Sequence, residues 1–457
     1  MLLEPFHTLL EEGWKSVFPQ DRTRHRAVAQ ALATPCVLGR RTLSRTLCAL
    51  GRTEKDWSAD YKLFSRSPWK AEGLFAPVLE GYLSRYPQGP VAVAFDDTKL
   101  KKTGKKIPTA SWQRDPLSPP FHVNLLYGLR FIQASLLFPH HQEGDYSARG
   151  YPVRFSEAPV VKKPGKRATD KERQAYRVLK KEKNLSRQTR ELIGGLRAEL
   201  DATGAASRPM VAALDGSFCN RILFKTPLAG VELLARARKD ARLCFPAAAG
   251  SRRKYDTNIF TPEEVRQDPS RPWKRTRLFL GGKWRTVKYK VVTTVLWKRG
   301  GGQRRLRLIV IAPLPYKLSL HARLNYRQPA YLLTTDHHLS TKRLLQIYCD
   351  RWQIEVNHRD EKSLLGVGQA QVWSAQAVPR QPAFVVAGYS LLLLAGLQAQ
   401  GPGRTDAFLP LPQWRKSSPR PSLLDLLSRL RQEINETPVS VLGCPEFTKN
   451  MTLYAHT

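Results

Sequence analysis

Acid is what this sequence is short of. Only 38 Asp and Glu stand against 75 Lys and Arg, leaving a formal charge of +37 and a pI near 10.3. Solubility needs far less, so the imbalance points to a polyanionic partner, either nucleic acid or an anionic membrane surface. Cysteine is scarce and scattered: residues 36, 48, 219, 244, 349 and 444 form no CxxC pair and no Cys/His cluster. That argues against a zinc site and predicts reduced thiols in a cytoplasm. Long apolar runs are missing too. The longest, Ala383 to Leu397, is interrupted by Gly388, Tyr389 and Ser390 and reads as a helix buried in a core. The opening MLLEPFHTLLEEGW lacks a basic start and a cleavage site, so no secretory signal is expected. No internal repeat is visible.

Globular material is nevertheless plentiful. A hydrophobic fraction of 42% and ten tryptophans argue against global disorder, and 457 residues suffice for two or three domains. Residues 1–85 read as a helical amino-terminal DNA-binding region. Leu43, Leu47 and Leu50 recur at helical spacing after Gly39, and Arg41 and Arg45 are candidate DNA contacts in a helix-turn-helix-like pair. Residues 86–245 read as the first part of an α/β core. Val91–Phe95 is a strand-like run ending in Asp96-Asp97-Thr98, with further strands expected at 123–129 and 131–138. Residues 161–190 carry twelve Lys/Arg against three Asp/Glu, a charge run that adds to a nucleic-acid backbone footprint. A second strand, Val211–Leu214, runs into Asp215-Gly216-Ser217; a helix near 226–234 and a strand near 233–238 are expected next. Residues 246–328 read as a β-rich insertion. Residues 329–400 form the second part of the core, beginning with a strand at Tyr331–Leu333. Residues 401–457 comprise a Pro/Gly/Ser-rich linker and a short amphipathic helix opened by Ser422, with Asp425 placed for a capping box.

The densest chemistry lies in the run IYCDRWQIEVNHRDEK. Tyr348, Arg351, Glu355 and Lys362 stand at offsets 0, 3, 7 and 14. On a continuous α-helix these project within an arc of about 60° over roughly 21 Å. Such residues also decorate solvated helix faces. A functional face would hold phosphates with the cations and phenol while the carboxylate helps hold a divalent ion. Trp352, about 100° around such a helix, is expected in the core. Three acids then share a context: Asp96 and Asp215 each follow an apolar strand, and Glu355 lies on a helix after another. In an α/β fold, ligands collect beyond the carboxyl ends of parallel strands, so acids far apart in sequence can converge there. Two hard divalent ions on such acids suit an in-line phosphoryl displacement.

With these residues in place the chain resembles the DDE transposases of bacterial insertion-sequence type that carry a Tyr-x2-Arg-x3-Glu-x6-Lys motif. The tetrad matches that spacing in full. Phe95-Asp96-Asp97-Thr98 matches the strand-Asp-x-Thr pattern and Leu214-Asp215 the second aspartate motif, and the likeness covers roughly residues 86–400. The resemblance implies an RNase H-like mixed-sheet catalytic core with a β-rich insertion before the catalytic Glu helix. It implies Asp96, Asp215 and Glu355 as catalytic acids holding two Mg²⁺, for which Mn²⁺ can substitute. Asp96 is preferred to Asp97 as the first acid because Thr98 follows two residues later. Tyr348, Arg351, Lys362 and Arg359 would contact DNA, and Tyr331 would stack an extruded base or serve as a core aromatic. The expected reaction is metal-dependent cleavage at transposon ends and strand transfer of the 3′-hydroxyl into target DNA. Expected partners are double-stranded DNA, as terminal inverted repeats and target, and a second copy of the chain in the DNA complex. The expected location is a bacterial cytoplasm, at the nucleoid. A catalytically inactive DNA-binding descendant and a nuclease without strand transfer remain alternatives.

Overall fold

The computed structural model describes residues 1–436 except 55, 117, 120, 320 and 415–418; Cys444, much of the carboxyl-terminal segment and part of the expected linker lie outside the described residues. The chain is mixed α/β, built on one large mixed sheet. Five helices come first: α1 (Leu3–Gly13), α2 (Asp21–Ala33), α3 (Leu43–Ala49), α4 (Ser58–Ser65) and α5 (Ala76–Arg85). Residues 34–42, including one 3₁₀ turn, separate α2 from α3. That connection is too long for the three-to-four-residue turn of a helix-turn-helix, and the expected reader motif is not formed there.

The sheet opens with β1 (Val91–Lys101), β2 (Ser111–Arg114), β3 (Leu125–Phe138) and β4 (Arg149–Glu157). The two strands expected at 123–129 and 131–138 are one, β3, which pairs with β1 along one edge and with β2 and β4 along the other. The basic run folds as helices α6 (Asp170–Glu182) and α7 (Leu185–Leu200), followed by β5 (Met210–Leu214). The helix expected at 226–234 is misplaced. A single turn, α8 (Arg221–Phe224), precedes β6 (Val231–Arg236), and the stretch between contains Pro227 and Gly230, whose φ of +65° suits glycine.

Next come β7 (Leu243–Pro246), β8 (Tyr255–Phe260), α9 (Pro262–Gln267), β9 (Lys274–Phe279), β10 (Trp284–Leu296), β11 (Arg305–Ile311), the two-residue β12 (Pro315–Tyr316) and β13 (Asn325–Tyr326), and β14 (Ala330–Thr334). The β-rich character expected for 246–328 is therefore seen, and most of its strands extend the main sheet. The order is β2-β3-β1-β5-β6-β14-β11-β10-β7-β8, with β4 also on β3 and β9 also on β10. Among the described residues only β1–β5–β6 run parallel.

The chain ends its described course with α10 (Thr341–Asp350), α11 (Gln353–Ser363), α12 (Ala377–Gln400) and α13 (Leu423–Glu436). Alternation along β1 separates two cores. Val91, Val93 and Phe95 face the larger one, shared with α5, α7 and α12, whereas Ala92 and Ala94 face a smaller one with Leu344, Leu345, Ile347 and Ile354 of α10 and α11. Helix α12 is apolar on nearly every side and long enough to cross a membrane, yet 89% of its apolar window is buried inside the protein. Phe384 on it meets Trp14, Phe64 and Trp69, a contact set of the kind worth about 1.5–3 kcal/mol per buried aromatic. Helix α13 packs on this body through Leu426, Leu430 and Ile434, with the expected Ser422–Asp425 capping box formed.

Helix α11 is seated on the sheet by Asn357. Its amide donates to the Gly150 carbonyl at 2.9 Å and to the Tyr389 hydroxyl at 3.0 Å, while its Oδ1 accepts from Ser135 Oγ at 3.0 Å. A Cβ on Gly150 would lie 2.6 Å from Asn357 Oδ1 and 3.3 Å from the Gln353 backbone. Gly150→Ala should therefore lift α11 and destabilise the fold by about 1–3 kcal/mol, seen as a lower midpoint in thermal or urea unfolding; an unchanged midpoint would contradict this packing.

Candidate active site

The site begins with strand register. In the parallel pair β1–β5 the last matched residues are Phe95 and Leu214, so Asp96 and Asp215 stand level one step beyond. Adjacent strands lie about 4.8 Å apart. The even residues of β1 and the odd residues of β5 share the smaller-core face, which puts both aspartates under α10 and α11. Strand β1 continues through Asp96 rather than ending there, because β3 keeps pairing to Lys101 after β5 has stopped. The same alternation turns Asp97 to the opposite face, where burial raises its carboxyl pKa and Arg130 is the strongest of the charges opposing that rise. Of the two adjacent acids it is Asp96 that meets the Glu355 helix.

The helix carrying the tetrad departs from the expected single rod. Helix α10 stops at Asp350 and α11 starts at Gln353. Between them the hydrogen bonds tighten to the i→i−3 type: Trp352 N to Cys349 O, Ile354 N to Arg351 O and Glu355 N to Trp352 O. Asp350 anchors the end of α10 by accepting from Gln346 at 2.9 Å and lying 3.0 Å from His141 Nε2. The tightening turns Trp352 outward. It is 56% exposed, so the expected core placement is wrong. Tyr348, Arg351 and Glu355 still meet: the guanidinium lies 6.0 Å from the Tyr348 ring centre and 3.0 Å from Glu355 Oε1.

Electrostatics tie the helix to the strand ends. The Asp96 carboxyl is pushed up to about 6, first by burial and then by Asp215 and Asp97, against the opposing pull of His358 and Arg351. Burial raises the Tyr348 phenol, opposed by Arg236 and Arg351, with Asp215 near enough to add to the rise. Burial lowers the Lys362 ammonium, opposed by Glu361, Asp96 and Asp97. Tyr348 is thus within electrostatic reach of Asp215, and Arg351 and Lys362 of Asp96, while Glu355 joins them through Arg351.

Other expected contacts fall elsewhere or differently. Tyr331 is a core aromatic, 4% exposed, and its hydroxyl donates to Glu263. Arg359 is exposed and paired with Asp360 at 2.8 Å. Arg45 is exposed on α3 and donates to the Leu38 carbonyl. Arg41 is half-buried in the loop before α3, its backbone N–H bound to Gln369, and burial lowers its guanidinium to about 10.

Two residues here carry no mark in the sequence reading. His358, one turn after Glu355, lies with Nε2 3.9 Å from Asp96 Oδ2 and Nδ1 3.5 Å from Glu361. Arg236 ends β6 one residue beyond Ala235, which pairs with Leu214, and so stands beside Asp215. A cation directly after the strand-like run 231–235 was the available signal for Arg236. His358 could be found only by placing it at helical spacing from Glu355.

The donor set suits a hard cation. Asp96 and Asp215 offer carboxylate oxygens of the kind Mg²⁺ and Mn²⁺ take; burial first, and the neighbouring Asp215 and Asp97 after it, hold the Asp96 carboxyl up. Among the described residues no three His, Cys, Asp or Glu side chains stand gathered as a ready metal cage; Glu355 is held by Arg351 instead.

A carboxyl whose pKa rises from 3.8 to about 6 on folding costs stability above pH 6 and nothing below pH 3.8. In divalent-free buffer, Asp96→Asn should stabilise the fold by about 1–3 kcal/mol above about pH 7, the gain fading to nothing near about pH 4. Added Mg²⁺ should raise the unfolding midpoint of the unaltered chain and leave that of Asp96→Asn unmoved. Thermal melts across pH, with and without Mg²⁺, check both; a gain independent of pH would contradict the assigned cause. No protein-family model matches the chain, and no curated protein matches it.

Proposed function

We propose that the protein is a DDE-type DNA transposase with an RNase H-like catalytic core, cleaving element ends and joining the freed 3′-hydroxyl to target DNA. The observation that carries this reading is the level placement of Asp96 and Asp215 on neighbouring parallel strands, beneath the helix that bears Glu355. The order β4-β3-β1-β5-β6, antiparallel and then parallel, supports the RNase H-like reading. The excess of 75 basic over 38 acidic residues supports a polyanionic substrate.

Asp96, Asp215 and Glu355 would hold Mg²⁺ or Mn²⁺, which when bound supplies Lewis acidity at the phosphoryl group. Tyr348, Arg351, Lys362 and Arg236 orient the scissile phosphate by hydrogen bonds and charge, holding it for in-line attack. Cleavage and joining are both displacements at phosphorus, so one arrangement serves both. His358 faces Asp96 from the α11 side, its Nε2 3.9 Å from Oδ2. Arg351 has a double duty, since it binds Glu355 as well as facing the substrate side. Pairing of two element ends calls for a dimer in the DNA complex, and work on DNA at the nucleoid follows from the substrate.

Asp215→Ala and Glu355→Gln should abolish Mg²⁺-dependent cleavage of an end-bearing duplex while binding survives, with inverted repeats flanking the gene supplying the ends. Cleavage retained in either variant would sink the assignment, and hydrolysis without joined product would make the protein a nuclease. Lys362→Ala should weaken end binding and reduce the salt slope of affinity by about 1.

A further inference from the structure

Helix α6 has a complete capping box at Thr169 and Glu172 but buries none of its residues. A helix of thirteen residues that contributes nothing to a core is stable for local reasons and is free to face a partner. Its cations are ordered. Arg173, Arg177, Lys180 and Lys181 stand at offsets 0, 4, 7 and 8, within an arc of about 100° and over about 12 Å, the axial rise of three to four phosphates along one strand. Lys162, Lys163, Lys166 and Arg167 lead into it and Lys183 and Arg187 follow, all exposed.

The placement of this segment is the second observation. It leaves the sheet at Glu157, which pairs with Phe131, which in turn pairs with Thr98 two residues beyond Asp96. It rejoins the body at α7, where Ser186 Oγ accepts from Asn220 at 2.8 Å, and Asn220 also donates to the Ser217 carbonyl just past Asp215. One root of the basic segment therefore lies two strands from Asp96 across the sheet, and the other is hydrogen-bonded to the turn that follows Asp215.

We infer that residues 158–187 form a basic arm that holds the sugar–phosphate backbone of double-stranded DNA across the acid site. The inference rests on the proposed DNA chemistry for what lies beneath the arm, but the arm's own contact is with phosphates and carries no base preference. An anionic membrane surface is the competing partner for a basic helix that also exposes Val178 and Leu179.

The test is the quadruple variant Arg173→Gln, Arg177→Gln, Lys180→Gln and Lys181→Gln in the full chain. None of these side chains is buried, so the unfolding midpoint should stay put. Binding of a short duplex of arbitrary sequence should weaken by about tenfold or more at physiological salt, with a salt slope shallower by about 2–4. Mg²⁺-dependent nicking of an end-bearing duplex should show a higher KM at a retained kcat. An unchanged salt slope overturns the arm, as does loss of binding to phosphatidylserine vesicles with duplex binding intact. The two readings fail separately. Normal binding by the arm variant alongside an inactive Glu355→Gln removes the arm alone. Weakened binding alongside an active Glu355→Gln keeps the arm and removes the acid assignment.

Discussion

Everything at the site depends on one pairing register. Strands β1 and β5 run parallel with Phe95 opposite Leu214, and this brings two carboxylates separated by 119 residues of chain (215−96) to the same height on the same face. A slip of one residue would send one of them through the sheet, because strand side chains alternate. The register is held by burial on both faces: Ala92, Ala94, Val211 and Ala213 beneath α10 and α11, and Val93, Phe95, Ala212 and Leu214 against the larger core. The small alanines let helices close on the sheet, and the aspartates follow as the first positions that the apolar run leaves uncovered.

That geometry also sets the charge problem. A chain with a large cationic surplus spends its few acids in a tight place, where Asp96 is desolvated and beside two other aspartates. The cations nearest them are Arg351, Arg236 and Lys362; Arg351 is already committed to Glu355, and the His358 imidazole stands between Asp96 and Glu361. Negative charge is gathered at the strand ends and positive charge stands around it.

Much of this could be read from residue order. An apolar strand run followed by an acid is legible because the change of residue type marks where the apolar packing of the strand stops, and this located both aspartates. The tetrad spacing located Tyr348, Arg351, Glu355 and Lys362, although a single rod was the wrong picture. Three i→i−3 hydrogen bonds do not show in side-chain periodicity, so Trp352 was assigned inward when it points to solvent. The helix expected at 226–234 failed where Pro227 and Gly230 outweighed an apolar run that belongs to β6. Arg236 and His358 stayed hidden since each acquires its neighbours only through tertiary placement. Tyr331, for which base stacking and core packing are both expected, stands among core residues with a hydrogen bond to Glu263.

The continuity of the sheet has a bearing on modularity. Strand β14, which delivers the chain to α10, is hydrogen-bonded to β6 on one side and to β11 on the other. The segment that reads as an insertion is therefore part of the wall. Excising it would strip β14 of a partner along five residues and leave an apolar edge, Tyr331-Leu332-Leu333, open to pairing with another chain. The whole sheet, rather than the acid-bearing strands alone, is the unit that keeps this edge paired.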